Sequence, residues 1–90
     1  MDAIGGPTAG ARTLAVLSHY DVNGLTVTDA EALAAVKLAH TTLKIVLEPG
    51  AAASLAALLF GKIDVRGRII ATVGSGGNVD PQIYERAITT

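Results

Sequence analysis

A 90-residue chain that is 50% hydrophobic and only 17% charged is a globular unit and not a disordered tail. Seven Lys plus Arg against eight Asp plus Glu leave a net charge of -1, with no basic run and three aromatics, Tyr20, Phe60 and Tyr84, which argues against nucleic-acid binding. A chain of this size buries roughly 60 to 65% of its unfolded surface, and with no cysteine to staple it, self-association or membership of a larger assembly is expected.

The lead-in MDAIGGPTAG is rich in glycine and reads as irregular. A first helix is predicted over Ala11 to Tyr20, with Leu14, Val16, Leu17 and Tyr20 at near-helical spacing. Asp21-Val-Asn-Gly24 stops it, Asn-Gly being a turn signal. The short β-branched run Leu25 to Thr28 suits a strand. Thr28 and Glu31 form a capping box, so a second helix is expected to begin at Asp29, with Leu33, Val36, Ala39 and Leu43 as its apolar stripe.

Lys44 to Leu47 is a second β-prone run, ended by Glu48-Pro49. Proline at the first helical position costs no hydrogen bond, so Pro49 opens a third helix that stops at Gly61. That helix is apolar on every side and is expected to be covered all round. Its run Ala51 to Phe60, interrupted by Ser54, is too short for the roughly 20 residues a bilayer crossing needs. No positive segment precedes an apolar one at the N-terminus, so no signal peptide is read, and with zero cysteine a cytoplasmic setting is expected. After a charged loop, Lys62 to Gly67, the run Arg68 to Val73 reads as a strand buried on both faces. Asp80 as N-cap and Pro81 as N1 then start a fourth helix ending near Ala87 or Ile88. The predicted fold class is α/β, a partial open sheet with short strands and about four helices, over residues 1–90 as one unit without internal repeats.

Two stretches carry candidate chemistry. Gly74-Ser-Gly-Gly-Asn78 follows a strand-like run and precedes a helix, where open α/β sheets place ligands. Glycines there let the backbone approach an anion or a planar ring, and Ser75 supplies one directional hydroxyl. The stretch is not GxGxxG, lacks the P-loop lysine, and has Val73 where a GxSxG nucleophile elbow needs glycine. A plain structural turn is the competing reading. Glu48 is the one acidic residue in a long apolar stretch, either a site carboxylate or a first-turn carboxylate favoured by the helix dipole. His19 and His40 share no metal-ligand spacing, so no metal site is expected, and Lys37, Lys44 and Lys62 read as solvated.

The segment TVTDAEALAAVKLAHTTLKIVLEPGAAASLAALLFGKI followed by GRIIATVGSGGNVD resembles the C-terminal part of the pyridoxal-phosphate-dependent threonine/serine dehydratases and related serine racemases, of the tryptophan-synthase-β-like fold. DAIGGPTAGARTLAVL also resembles the family segment that precedes this part, although TAGARTLAVL replaces a more usual Pro-Gly-Glu-Leu-Thr pattern. The resemblance implies that Ser75 hydrogen-bonds the pyridine nitrogen of pyridoxal 5'-phosphate, that Gly76, Gly77 and Asn78 shape the turn beside the ring, and that Glu48 lies near the same edge. Asp2 and Ala3 match a stretch bordering the pocket.

The family's Schiff-base lysine, its asparagine loop, its tetraglycine phosphate cradle and its cation ligands have no counterpart among these residues. The resemblance therefore implies the C-terminal part of a longer enzyme, with Met1 not its natural start, no catalytic residue of its own and no activity alone. The parent reaction would convert L-threonine or L-serine to a 2-oxo acid and ammonia. The alternative is a stand-alone oligomeric module that binds a small molecule or anion at the GSGGN loop, and a purely structural oligomer is a third reading. A homo-oligomer is expected in each.

Overall fold

The computed structural model describes residues 10–20, 22 and 24–89, and among them the regular structure is entirely helical. Helix α1 spans Ala11–His19, α2 Asp29–Leu38, α3 Pro49–Leu59 and α4 Pro81–Thr89, with a π turn, Ala39–Leu43, continuing α2. The expected α/β sheet is therefore corrected: among the described residues there is no strand. The β-prone runs 25–28, 44–47 and 68–73 are non-helical, but a strand exists only through a repeated hydrogen-bonded partner, and no such ladder joins them. The Asp21 and Asn23 positions of the first turn lie outside the described residues.

Local signals account for the helix ends. Thr28 Oγ1 accepts from the Glu31 N–H at 3.1 Å while Glu31 Oε1 accepts from the Thr28 N–H at 2.8 Å, a complete capping box that starts α2 at Asp29. Pro49 occupies the first turn of α3. That helix closes in a Schellman motif, with the Lys62 N–H donating to the Ala57 carbonyl at 3.0 Å and the Gly61 N–H to the Leu58 carbonyl at 3.4 Å. Gly61 sits at φ 67°, which an L side chain rarely adopts. At α4, Asp80 Oδ1 accepts from the Gln82 N–H at 2.8 Å.

Helix α2 packs on α3 and, less extensively, on α4. The core between them is built of Ala35, Val36, Ala39, Leu47, Ala51, Ala52, Ala56 and Ala87. Alanines on both helices bring the backbones close, and Val36 is the largest fully buried side chain. Lys62 Nζ meets Glu31 Oε2 at 3.1 Å, holding the end of α3 against the start of α2. The π turn is closed by Ile45 N–H donating to the Ala39 carbonyl at 3.0 Å and leaves Lys44 left-handed at φ 61°.

Two burial expectations are also corrected. Helix α3 is covered on its alanine face alone, since Ser54, Leu59 and Phe60 are exposed. The run 68–73, expected to be buried on both faces, is the most open apolar segment of the described chain, with Ile69 fully exposed and Val73 77% exposed. Helix α1 carries no buried residue, and its stripe of Leu14, Val16, Leu17 and Tyr20 faces outward.

Candidate functional site

The two stretches singled out in the sequence meet. The Glu48 N–H donates to the Gly76 carbonyl at 2.9 Å, so the residue that precedes α3 is fastened to the middle of the Gly74–Asn78 loop. At Gly77 the approach is tight enough to exclude a side chain. A Cβ added to Gly76 would lie 2.7 Å from Glu48 Oε1, and one added to Gly77 would lie 2.8 Å from the Val46 carbonyl oxygen. A Cβ at Gly74 would come to 3.0 Å of Leu47 Cδ2, the end of a side chain that can move.

These distances decide what the glycines are for in this chain. Gly77 makes room for the Val46 carbonyl, a backbone atom that cannot turn aside, whereas the atom nearest Gly76 is the end of the flexible Glu48 side chain. Glu48 is half-buried and holds the N-cap position of α3 without capping it through its side chain. Its carboxylate lies beside Gly76, and the bond that fastens this residue to the loop is made by its backbone N–H. Ser75 and Asn78 are exposed on the same loop. Asp2 and Ala3 lie outside the described residues.

The route by which the 44–48 segment reaches the loop begins at the π turn. One extra residue in the last turn of α2, followed by the left-handed Lys44, redirects the chain toward Gly74–Asn78. Beneath the loop, the Ser54 hydroxyl donates to the Val73 carbonyl at 3.3 Å and accepts from Thr72, tying the strand-like run to α3. Sequence reading did not single out Ser54, although a lone hydroxyl in an alanine- and leucine-rich helix was the available signal.

Cavities lie alongside this loop more than within it. A groove of about 350 Å³ runs between Leu25, Val27, the Ala53–Leu58 side of α3 and Ile70, and its lining is mainly apolar. A smaller one of about 170 Å³ lies between Ile45, Leu47, α3 and Thr72–Gly74. Neither draws in Ser75 or Asn78.

The histidines divide. His40 Nδ1 pairs with the Tyr84 hydroxyl at 2.8 Å, the rings standing edge to face 5.5 Å apart, and this pair joins the π turn to α4. His19 stacks edge to face on the adjacent Tyr20. Among the described residues no group of three or more His, Cys, Asp or Glu is placed to hold a metal ion. The Glu31 carboxyl is held below the usual glutamate range, first by the Thr28 backbone N–H and then by Lys62. Among the described residues no helix is long and apolar enough to cross a membrane.

Comparison with known proteins adds no relative: no protein family matches the chain, no curated protein matches it, and no solved structure does.

Proposed function

We propose that the Glu48 to Gly76 junction is the pyridine-nitrogen side of a pyridoxal 5'-phosphate pocket of the threonine/serine dehydratase kind. The observation that carries this reading is the 2.9 Å hydrogen bond that brings together the two motifs on which the resemblance rests. The residues present fit one edge of the cofactor. Ser75 offers a neutral hydroxyl on a loop tied at Gly76 to the Glu48 N–H and preceded by Thr72 and Val73, which bond Ser54, and Asn78 adds an amide on the same loop. When bound, the cofactor supplies the electron sink for chemistry at the α-carbon of an amino acid.

A neutral hydroxyl at the ring nitrogen leaves that nitrogen without a full positive charge and so moderates the sink. Neither motif contains a lysine, and the covalent anchor and proton-transfer group would come from polypeptide outside these 90 residues. The chain alone is then a cofactor-edge module, without turnover of L-threonine or L-serine. A cysteine-free chain suits the cytoplasm, where this amino-acid chemistry would run.

Pyridoxine 5'-phosphate tests the reading, because it keeps the ring and phosphate but has no aldehyde to react with surface lysines. Amide NMR shifts on titration are expected to cluster at Gly74–Asn78 and Glu48, and to disappear in Ser75→Ala. Shifts confined to the lysine-bearing surfaces, or none at millimolar ligand, would overturn it. Dehydratase turnover by the purified chain with pyridoxal 5'-phosphate would equally overturn the assignment of the lysine to another segment.

A further inference from the structure

Two hydrogen bonds close a circuit through the Gly74–Asn78 loop. The first is local, the Glu48 N–H donating to the Gly76 carbonyl at 2.9 Å. The second is distant, His40 Nδ1 paired with the Tyr84 hydroxyl at 2.8 Å. Equal lengths of chain join them, His40 to Glu48 on one side and Gly76 to Tyr84 on the other. Both arms are stiff beside the distant bond. On the first, the π turn is closed by the Ile45 N–H donating to the Ala39 carbonyl at 3.0 Å. On the second, the Tyr84 N–H donates to the Asp80 carbonyl at 3.0 Å and Asp80 Oδ1 caps Gln82, so Asp80 moves with α4. Val79 alone separates Asp80 from Asn78, and the stand of α4 therefore sets where the loop must end.

The loop has little stiffness of its own, because three of its five residues are glycine. Ala87 packs α4 into the α2–α3 core, but apolar contact between small side chains carries no direction, whereas a hydrogen bond does. We infer that His40 and Tyr84 are positioning residues for Ser75: their bond fixes α4 against the π turn and so holds the Gly76 carbonyl where the Glu48 N–H meets it. Each bond shortens the free chain that the other has to close, so the two support one another. Opening the distant bond lengthens the tether on the glycine loop and lets Ser75 move. The coupling of the two bonds is independent of any ligand, while its consequence for a pyridine ring rests on the reading proposed above.

Amide hydrogen exchange of the whole chain separates positioning from general stability. Tyr84→Phe removes the hydroxyl and keeps the aromatic ring, and the Glu48 amide is expected to exchange about 3- to 10-fold faster, the span one neutral hydrogen bond supplies. The Ala56 amide, within α3, is expected to change less than about twofold, because local opening leaves the core closed. His40→Asn, whose amide occupies the place of Nδ1, is expected to keep the Glu48 rate near that of the unmodified chain. His40→Ala is expected to raise it, and adding Tyr84→Phe to His40→Ala to raise it no further. An unchanged Glu48 rate in Tyr84→Phe overturns the inference, as does equal acceleration at Ala56 or additivity in the double variant. Pyridoxine 5'-phosphate affinity, read at the Ser75 amide, is expected to weaken in Tyr84→Phe by the factor seen at Glu48. Binding that is equally tight in both proteins overturns the positioning role, whereas no binding to the unmodified chain overturns the cofactor reading and leaves the exchange result to decide the coupling.

Discussion

The α2–α3–α4 layer and the run from Ile63 to Val73 are each more than half hydrophobic, yet they end in opposite states. In the helical layer the small residues are inside: Ala35, Ala39, Ala52 and Ala56 are fully buried. In the run, the large residues Ile63, Ile69, Ile70 and Val73 stay exposed. Helices satisfy their backbone internally, so α2 and α3 need only a smooth alanine face to pack together. An extended run satisfies its backbone only through a neighbour, and the one bond from another element to the backbone of Ile63–Val73 among the described residues is the Ser54 hydroxyl donating to the Val73 carbonyl. Hydrophobicity therefore does not by itself decide burial, and neither does helix formation alone, since α1 satisfies its backbone internally and buries no residue.

The sharpest break of this contrast is Ala56→Leu. Ala56 is fully buried between α3 and α2, and three added carbons have no free volume to enter. Overpacking of about 3 kcal/mol is expected, at the upper end of such substitutions. Leu14→Ala, on a helix with no buried residue, is expected to change stability by less than ~0.5 kcal/mol although it deletes more apolar surface. Urea midpoints of the two variants check the pair, and equal losses would show that α1 packs where it is seen exposed.

Gly77→Ala comes next. Its Cβ would lie 2.8 Å from the Val46 carbonyl, a backbone atom that cannot rotate away, so the loop or the 46–48 segment must shift. A loss of about 2 kcal/mol is expected, from strain and the weakened Glu48 to Gly76 bond. Gly74→Ala meets only the movable end of Leu47 and is expected to cost under about 1 kcal/mol. If both cost the same, the loop is looser than its contacts indicate.

The acid limb of stability sharpens the helical side. Thr28 and Lys62 depress the Glu31 pKa in the folded chain, so their stabilisation is fully present above the unfolded value of about 4.3. It is lost as the pH falls through the lower folded value, because protonated Glu31 no longer accepts both hydrogen bonds as an anion. Urea midpoints between neutral and acid pH should fall in that window, and Glu31→Gln should flatten the fall. An unchanged acid limb in the variant would assign it to other carboxylates, such as Asp64, which Arg66 holds low in the same way.

How much of this was legible in the sequence follows the same division. Thr28 with Glu31, Pro49, Gly61 and Asp80 with Pro81 act within a turn or two of themselves, and each helix boundary they imply is present to within a residue or two. The runs 25–28, 44–47 and 68–73 carry β-prone residues, but pairing is a non-local property that propensity does not encode. The α/β expectation failed at those runs. For the site, Glu48 and Gly74–Asn78 stood out separately, while their contact depends on the π turn at Ala39–Leu43, which AHTTL does not announce. The reason for the glycines was hidden too, since only coordinates show Glu48 and Val46 filling the space a side chain would take.

The smallest effect falls at the hinge between the two regions. Lys44 is the one described non-glycine residue at positive φ, and it sits where the π turn hands the chain over to the loop-bracing 45–48 segment. A left-handed L residue costs roughly 1 kcal/mol against the right-handed well, partly offset here because glycine would bring more freedom to the unfolded chain. Lys44→Gly is therefore expected to raise stability by about 0.5 kcal/mol, and Lys44→Val to lower it by about 1 kcal/mol because a β-branched residue tolerates that φ least. Thermal midpoints of the two variants moving in opposite directions would identify the turn at Lys44 as a fixed feature of the folded chain. A loss in Lys44→Gly as large as in Lys44→Val would mean that the Lys44 side chain holds this junction by contacts of its own, and the strain account would fall.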